Sequence, residues 1–366
     1  MKKNPIAIFL PADIKEKNNS AVARIEMFKY LKNINFDIYH FGNVGPYYSE
    51  ASPKNLSMYY KILKKFKRNH FKNPYQLICA TLPPIIMALF ASRFRKLFKI
   101  PLIIDVRDPG ISSVVLKYSK NNWRFKIAKK IEKWIYSQAD KICAVTPELK
   151  TFISKQFEIP SSKIEIISNA TTFKQTNKTP IKKEFQVFFG GNFAPYQVID
   201  KVLKNIARNK KHHDSFVFSF YGYNPKKQPE LLRIIKENHL DGFVKLNPAI
   251  ERQKLFKKLS ESHIALVPIS GLNHPELYDY AIPLKFYEAL SYSKPILLYV
   301  GTKASKNALK RHQIGLTCSD NENIFDKLKQ LKKNYDYYQS NCQKTIYLRQ
   351  KEAMKLEKII NKLLLK

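Results

Sequence analysis

Short apolar runs of strand-like composition alternate with helix-like segments along most of this chain. The strand-like runs of the first half are Ile6–Leu10, Phe36–Phe41, Leu77–Thr81, Pro101–Val106, Lys141–Val145 and Ile164–Ile167. The second half repeats the pattern at Gln186–Phe189, Phe216–Tyr221, Phe243–Leu246, His263–Pro268 and Ile296–Tyr299. Buried strands separated by helices of this length form parallel sheets with right-handed crossovers. The alternation therefore predicts an α/β protein with two doubly wound parallel sheets.

A polar segment rich in threonine and lysine, which includes Pro180, interrupts the alternation and is the best candidate for a linker. We predict a first Rossmann-like domain over residues 1–172, a linker over 173–183 and a second Rossmann-like domain over 184–344. A chain of 366 residues is long enough for two domains. Doubly wound sheets bind ligands at the carboxyl ends of their strands, so we expect the ligand where the two domains face each other.

The chain carries a formal net charge of +36. Part of this charge is patterned, because eleven basic residues and no acidic residue lie between Glu50 and Asp105. Such a field attracts polyanions, a class that includes nucleic acid, anionic lipid headgroups and diphosphate-bearing substrates. Residues 1–172 and 173–366 each carry a net charge of +18, so the charge is not concentrated in one short module for nucleic acid.

Lysines alternate with aromatic and aliphatic side chains over Lys61–Lys72, as in an amphipathic helix that lies on a membrane. We expect this stretch to rest on anionic lipid; a solvated helix face is the alternative. The longest apolar stretch, 77–91, is interrupted by Pro83 and Pro84 and is too short to span a bilayer. The N-terminal apolar run ends at Pro11, too early for a signal peptide. These features predict a cytoplasmic protein, peripheral on the inner face of the cell membrane.

The cysteines are far apart in the sequence and form no Cys-x-x-Cys pair; they are Cys79, Cys143, Cys318 and Cys342. Histidines do not stand at the spacing from them that a zinc site requires. We therefore expect buried free thiols in a reducing compartment, and we expect no metal site.

The segment Pro283-Leu-Lys285-Phe-Tyr-Glu288 begins a short predicted helix, which Lys294, Pro295 and an apolar strand follow. Lys285 and Glu288 are three residues apart and therefore share one face of the first helical turn. A helix N-terminus and a lysine suit a phosphate, and a carboxylate one turn later can accept hydrogen bonds from ribose hydroxyls. The segment therefore predicts a pocket for a nucleotide sugar. A solvated Lys–Glu pair has the same spacing and is the alternative.

Several separated segments carry a resemblance to a known family, through their order and spacing. They are Thr81–Pro84, Ile100–Pro109, Glu132–Ile142, Val145–Leu149, Lys163–Ala170, Gly190–Asn192 with Gln197, and Pro283–Glu288. With them the chain resembles the GT-B glycosyltransferases, and more narrowly the retaining glycosyltransferase family 4, in a branch that builds lipid-linked bacterial surface polysaccharides. The resemblance covers nearly the whole chain. It implies two Rossmann-like domains facing a central cleft, with a C-terminal helix over about 345–366 packed back on the first domain.

The resemblance also implies a reaction. A sugar would pass from a nucleoside-diphosphate sugar to an acceptor, with retention of configuration at the anomeric carbon. The second domain would bind the donor, and the first domain would bind a saccharide or polyprenyl-linked acceptor. The resemblance implies no metal ion and no cofactor, because lysine, arginine and helix N-termini neutralise the departing diphosphate in this family.

For the donor, the resemblance assigns Glu288 to the ribose and Lys285 to the diphosphate. Arg252, at the start of a predicted helix, is a further candidate for the diphosphate. Glycine allows the backbone of a turn to approach the phosphates closely. The residues that match this turn are Gly190, Gly191 and Asn192.

For the acceptor, a cluster of charged residues stands at the carboxyl end of a predicted strand. The cluster consists of Asp105, Arg107 and Asp108, which we predict to be the catalytic residues. The resemblance places an acceptor-activating or sugar-binding group at this position. We expect Asp108 to be the polar group nearest the acceptor, and Arg107 to orient it or to bind a phosphate. A structural Asp–Arg pair that closes the loop is the alternative.

One departure from the family pattern concerns recognition of the sugar. Many family members have two glutamates eight residues apart. Glu288 matches the second of them, and Tyr280 stands at the position of the first. The nearest acidic residues are Glu276 and Asp279. The departure bears on whether the pair of glutamates can recognise the sugar here.

A second departure concerns the diphosphate. Asn192 and Gln197 replace an arginine and a lysine that commonly follow the first strand of the second domain. Binding of the diphosphate must then depend on Lys285, on Arg252 or on backbone amides. The glycine-rich loop after the first strand of the chain is also absent, and Asn18–Ala21 stands in its place.

Other interpretations are a basic protein that binds nucleic acid or another polyanion, and a non-catalytic GT-B homologue. The charge favours the first, but helix-turn-helix, RNA-recognition and zinc-finger patterns are missing from the sequence. The non-catalytic homologue stays an open interpretation, because Tyr280 stands in place of a family glutamate. An epimerase that acts on the nucleotide sugar alone would need acid and base groups around the sugar, and the histidines show no such arrangement.

Overall fold

The computed structural model of the chain describes residues 4–10, 26–32, 34–40, 53–115, 119–175, 180, 184–213, 215–270 and 279–365. The chain divides into two compact units. Unit 1 comprises residues 1–169 and 349–366, and unit 2 comprises residues 170–348. Each unit is built on its own parallel sheet with helices between the strands.

The strands of unit 1 are β1 (Asn4–Leu10), β2 (Ile34–His40), β3 (Leu77–Leu82), β4 (Leu102–Val106), β5 (Lys141–Ala144) and β6 (Ile164–Ile166). The helices between them are α1 (Pro53–Lys72), α2 (Ile85–Phe98), α3 (Gly110–Val115), α4 (Trp123–Gln138) and α5 (Pro147–Phe157). The strands lie in the order β2-β1-β3-β4-β5-β6, and every neighbouring pair is parallel. Every residue of β3 and β4 is buried, as expected for a parallel sheet covered on both faces.

The starts of two helices in unit 1 follow directly from the sequence. The side chain of Thr146 accepts a hydrogen bond from the backbone N–H of Leu149 at 3.1 Å, and Pro147 occupies the first helical position of α5. The side chain of Asn122 accepts from the N–H of Arg124 at 2.9 Å at the start of α4. Both caps satisfy backbone donors that a helix leaves unpaired at its N-terminus.

The strands of unit 2 are β7 (Phe185–Gly190), β8 (Phe216–Tyr221), β9 (Val244–Asn247), β10 (Ile264–Ile269), β11 (Ile296–Val300) and β12 (Gly315–Cys318). The helices described in this unit are α6 (Ile199–Arg208), α7 (Pro229–Glu237), α8 (Arg252–Glu261), α9 (Leu284–Ser291), α10 (Lys303–His312), α11 (Ile324–Lys333) and α12 (Tyr335–Lys344). The strands lie in the order β12-β11-β10-β7-β8-β9, again with parallel neighbours. The core on one face of this sheet is rich in phenylalanine.

The strand order of unit 2 reverses direction between β7 and β10. From β7 the chain builds outward through β8 and β9, and it then returns to add β10, β11 and β12 on the other side. In an open α/β sheet the two connections at such a point diverge and leave a crevice at the carboxyl ends of the strands. The turn after β7, which begins at Gly190, lies at this crevice.

Three helices follow residue 323 in the described part of the chain: α11, α12 and the terminal helix α13 (Arg349–Leu364). The terminal helix belongs to unit 1, where Ala353, Leu356 and Ile360 join a core with strand residues of β1 and β3. Residues 345–348 separate α12 from α13.

The strands predicted from the sequence are all present, with ends that differ by two residues or fewer from the predicted ones. The predicted linker at 173–183 lies partly outside the described residues, as do Asn18–Ala21 and Glu276. All four cysteines are buried and free, as expected. Among the helices of the described residues, none combines the length and the apolar character that crossing a membrane requires.

Candidate functional site

The turn after β7 brings two backbone segments unusually close together. Gly191 has a φ of +132° and Gly222, after β8, has a φ of +111°, and side chains disfavour both conformations. A Cβ atom on Gly222 would lie 1.9 Å from the carbonyl oxygen of Gly191. A Cβ atom on Gly191 would lie 2.6 Å from Nζ of Lys285. Glycine at 191 therefore leaves the space that the lysine side chain uses.

Lys285 reaches this turn from the first turn of α9, which begins directly after Pro283 as predicted. Its Nζ lies 5.3 Å from the centroid of the Phe189 ring, over the ring face. Burial lowers the pKa of Lys285 to about 8, although the nearby carboxylate of Glu288 acts in the opposite direction. The structure therefore places a cation on the glycine turn at the strand-order reversal of unit 2.

Gln197 supplies the polar partner of this cation. Its side-chain oxygen accepts a hydrogen bond from Nζ of Lys285 at 2.7 Å, and its side-chain nitrogen donates to the carbonyl oxygen of Asn192 at 2.5 Å. The opposite orientation of the amide would set donor against donor and acceptor against acceptor, so the hydrogen bonds assign the orientation. The family pattern at position 197 indicated only that a cationic residue is replaced by a neutral one, and it did not predict this contact.

Glu288 lies one turn after Lys285 on α9 and faces Arg252 at the start of α8. The distance from Nη2 of Arg252 to Oε1 of Glu288 is 3.5 Å, and the guanidinium of Arg252 also lies 5.1 Å from the centroid of Phe256. The Glu288 side chain is 26% exposed and that of Arg252 is 59% exposed. The predicted donor residues thus come together in one place, with the carboxylate more sheltered than its arginine partner.

Lys285, Glu288 and Gly190 line one cavity between β7, β10 and α8. Its enclosed part measures about 20 Å³, which is room for a single water molecule. The cavity is therefore too small to enclose a ligand of nucleotide size.

Tyr280, at the position of the family's first glutamate, is only 2% exposed. The acidic residue beside it has a structural role, because Asp279 accepts a hydrogen bond from the N–H of Lys303 at 3.2 Å, at the start of α10. Its carbonyl oxygen accepts from the N–H of Ala304 at 2.7 Å. The side chain of Asp279 therefore does not replace the glutamate in this arrangement.

The charged cluster of Asp105, Arg107 and Asp108 lies at and after the end of β4 in unit 1. Asp105 is inside the strand and only 3% exposed, whereas Arg107 and Asp108 follow the strand and are partly exposed. The backbone N–H of Arg107 donates to the carbonyl of Leu82 at 2.9 Å, which fixes the start of the loop. Burial raises the pKa of Asp108 to about 6, while the charge of Arg107 lowers it. Asp108 can therefore exchange a proton near neutral pH.

Glu132, a residue of α4 that the site prediction did not include, holds the segment that follows Asp108. Its carboxylate accepts from the N–H groups of Gly110 at 2.9 Å and Ile111 at 2.8 Å, and from the hydroxyl of Tyr136 at 2.6 Å. The side chain is fully buried, and burial raises its pKa to about 7 despite these hydrogen bonds. The sequence contains a signal for the burial of this carboxylate, because Glu132 lies on the same helical stripe as the buried Phe125.

Clusters of three or more histidine, cysteine, aspartate or glutamate side chains able to hold a metal ion do not occur in the part of the chain that the structure describes. Lys285 places a cation at the glycine turn, and Arg252 lies beside Glu288.

Solved structures with the same fold support the two-unit architecture. Sucrose-phosphate synthase from Thermosynechococcus elongatus matches with a TM-score of 0.73 and 13% identity over 99% of both chains. Anabaena HepE in complex with UDP matches with a TM-score of 0.72 and 11% identity over 98% of this chain and 100% of its own. A glycosyltransferase from Rickettsia africae matches with a TM-score of 0.70 and 13% identity over 100% of this chain and 99% of its own. The predicted two-domain α/β fold of the GT-B type is confirmed.

Two family models match adjacent parts of the sequence. The model described as Glycosyltransferase Family 4 matches residues 35–173, and the model described as Glycosyl transferases group 1 matches residues 171–348. Comparison with curated proteins gives no match. The two models together span residues 35–348, and the chain belongs to the GT-B glycosyltransferases.

Proposed function

We propose that this glycosyltransferase transfers a sugar, with retention of configuration, from a nucleoside-diphosphate sugar to a saccharide acceptor carried on a polyprenyl lipid. The acceptor class and a role in bacterial surface polysaccharide assembly follow from the resemblance of its motifs. The observation that carries the proposal is the position of Lys285, with its Nζ against Gly191 and one helical turn from Glu288.

The donor site is proposed at the carboxyl end of β7. The diphosphate lies against the turn of Gly190, Gly191 and Asn192, where the ammonium of Lys285 and the backbone face it. A diphosphate that departs from a sugar develops negative charge, and a fixed cation in a partly desolvated site stabilises that charge. Glu288 accepts hydrogen bonds from the ribose hydroxyls, and Arg252 adds a second positive charge at the rim. We propose that these groups act without a metal ion.

The acceptor side is proposed at the loop after β4. Asp108 is the group nearest the acceptor, and its pKa of about 6 allows it to hold or release a proton near neutral pH. Arg107 orients the acceptor or its phosphate. Asp105 supports the loop from within the strand, because it is only 3% exposed.

We propose that α1 rests on an anionic membrane surface. Ile62 and Phe66 are buried, and Phe66 packs against Phe94 of α2 at 4.8 Å between ring centroids. The opposite face exposes lysines together with Tyr60 and Phe71, which are 61% and 76% exposed. Sedimentation with anionic and with neutral vesicles tests this part; equal binding to both, or binding to neither, contradicts it.

The experiment that tests the donor site is calorimetric binding of the purified protein to UDP, GDP, dTDP and CMP, with and without magnesium. We expect one nucleotide to bind tightly in the absence of magnesium, which would identify the donor class. Absence of binding to all four, together with salt-sensitive binding to DNA or RNA, would overturn the proposal in favour of a polyanion-binding protein.

A further inference from the structure

The glycine turn after β7 contains no cation of its own over residues 190–197. Its amide side chains are those of Asn192 and Gln197. Gln197 is only 4% exposed, and its backbone N–H donates to the carbonyl of Ala194 at 2.8 Å, so the residue is held firmly in the turn. A positive charge at this turn must therefore come from another segment, and Lys285 brings one from α9.

A lysine side chain has many rotamers, and holding it in one of them costs side-chain entropy. A hydrogen-bond acceptor that is already fixed lowers this cost for the ligand-binding state. The oxygen of the Gln197 amide is such an acceptor, because its nitrogen is anchored on the carbonyl of Asn192. The face of Phe189 supports the ammonium from a second side.

We propose that Gln197 is a positioning residue for Lys285: its amide oxygen holds Nζ against Gly191, so that a lysine from α9 provides the positive charge of the diphosphate site. The proposal rests on the proposed donor site and adds to it the group that places the cation. It accounts for the neutral residue at 197, since a lysine there would bring a second ammonium within hydrogen-bond distance of the first.

The chemistry explains why the partner is an amide. An ammonium group has three N–H donors, of which the Gln197 oxygen accepts one. An amide oxygen holds the ammonium and leaves its full charge for an anionic ligand. A carboxylate at 197 would hold the ammonium as well, but it would cancel the charge and repel a diphosphate.

The test compares Gln197→Leu and Gln197→Glu with wild type, and uses Gln330→Leu as a matched control on the exposed face of α11. The pKa of Lys285 is followed by NMR after reductive ¹³C-methylation of the lysines, and the Lys285→Arg variant assigns the resonance. We expect the pKa to fall in Gln197→Leu and to rise in Gln197→Glu, because the first loses an acceptor and the second adds a negative charge. An unchanged pKa in both variants overturns the proposal.

Binding of UDP and of uridine to the same variants then separates positioning from a general effect on the turn. We expect the affinity for UDP to fall about tenfold in Gln197→Leu and further in Gln197→Glu, with the affinity for uridine unchanged, because uridine lacks the diphosphate. Equal losses for UDP and uridine overturn the proposal. Should the wild type bind no nucleotide, the donor site itself fails, while the NMR titration still decides whether Gln197 positions Lys285.

Discussion

Three lysines of unit 2 share a lowered pKa and lie in two kinds of surroundings; Lys294 is buried, and Lys174 and Lys285 are half-buried. Burial lowers the pKa of Lys174, Lys285 and Lys294 to about 8 in each case. Lys174 and Lys294 lie at the C-terminal ends of helices and donate to backbone carbonyls. Lys285 lies at the glycine turn after β7, where its ammonium group contacts the side-chain amide of Gln197 and the ring of Phe189.

The two helix-end lysines have a structural role. Nζ of Lys174 donates to the carbonyls of Leu290 and Cys342, the latter at 2.5 Å, and to that of Thr345 at 3.1 Å. These carbonyls belong to the ends of α9 and α12, where a helix leaves its last C=O groups unpaired and carries partial negative charge. Lys294 does the same at the end of α8.

The comparison teaches that a lowered lysine pKa reports burial and does not by itself identify a binding site. The partner atoms make the distinction. Several carbonyl oxygens at helix ends complete the hydrogen bonding of the fold, whereas the amide oxygen beside the glycine turn accepts only one of the three ammonium donors. Four predictions separate the two kinds of site, from the largest expected effect to the smallest.

Replacement of Lys174 by methionine should cost the most. The carbonyls of Leu290, Cys342 and Thr345 lose their shared donor, and we expect the free energy of unfolding to fall by about 3 kcal/mol. Urea denaturation measures this change, and UDP binding should stay as in wild type. The exposed Lys333→Met provides the control. A loss below about 1 kcal/mol would show that water replaces the lysine there.

Replacement of Lys285 by methionine should have the opposite profile. Removal of a partly desolvated charge costs little stability, but the diphosphate loses a charged hydrogen-bond donor. We expect the affinity for UDP to fall about 30-fold, or about 2 kcal/mol, with the free energy of unfolding unchanged. Calorimetry and urea denaturation of the same sample measure both. A variant that binds UDP as wild type does would place Lys285 with the structural lysines.

The affinity for UDP should depend on pH through Lys285. The protonated side chain binds the diphosphate, and its pKa is lowered to about 8, so affinity should decrease as pH rises through 8. We expect about a tenfold decrease between pH 7.5 and 9, the interval over which a group with this pKa loses its proton. Calorimetry at several pH values measures the curve. In Lys285→Met the decrease should disappear; the same decrease in both proteins would assign it to another group.

Replacement of Arg252 by glutamine should have the smallest effect. Its side chain is 59% exposed and lies 3.5 Å from Glu288, so solvent screens the pair. We expect the affinity for UDP to fall less than about fivefold, or about 1 kcal/mol. The loss should shrink further at high ionic strength. A larger, salt-independent loss would move the main cationic role from Lys285 to Arg252.

Much of the architecture could be predicted from the sequence because the signals are local. Strands β1 to β11 were predicted because each is a short apolar run flanked by polar turns, and the start of α9 was predicted from Pro283 and the residues after it. Strand β12 (Gly315–Cys318) was not predicted, because its four residues include a glycine and a threonine and form no clear apolar run.

The side chains around the site were less predictable. Comparison with the family pattern indicated only that Gln197 replaces a cationic residue, and it did not predict the contact with Lys285. Glu132 belongs to one of the segments that carry the resemblance, but no role was predicted for it. Their partners lie on segments that are distant in the sequence. Sequence spacing places Lys285 and Glu288 on one helix face, but it does not say that one meets Gly191 and the other Arg252.

The sequence by itself determined the two α/β units and the helix that carries Lys285 and Glu288, because hydrophobic periodicity and helix starts depend on neighbouring residues. Only the tertiary structure decided which cation serves the glycine turn and which carboxylate holds the loop after Asp108. These contacts depend on the order of the strands, which brings α9 beside the turn after β7 and α4 beside the loop after β4. Packing between distant segments sets them, and no local pattern of residues encodes that packing.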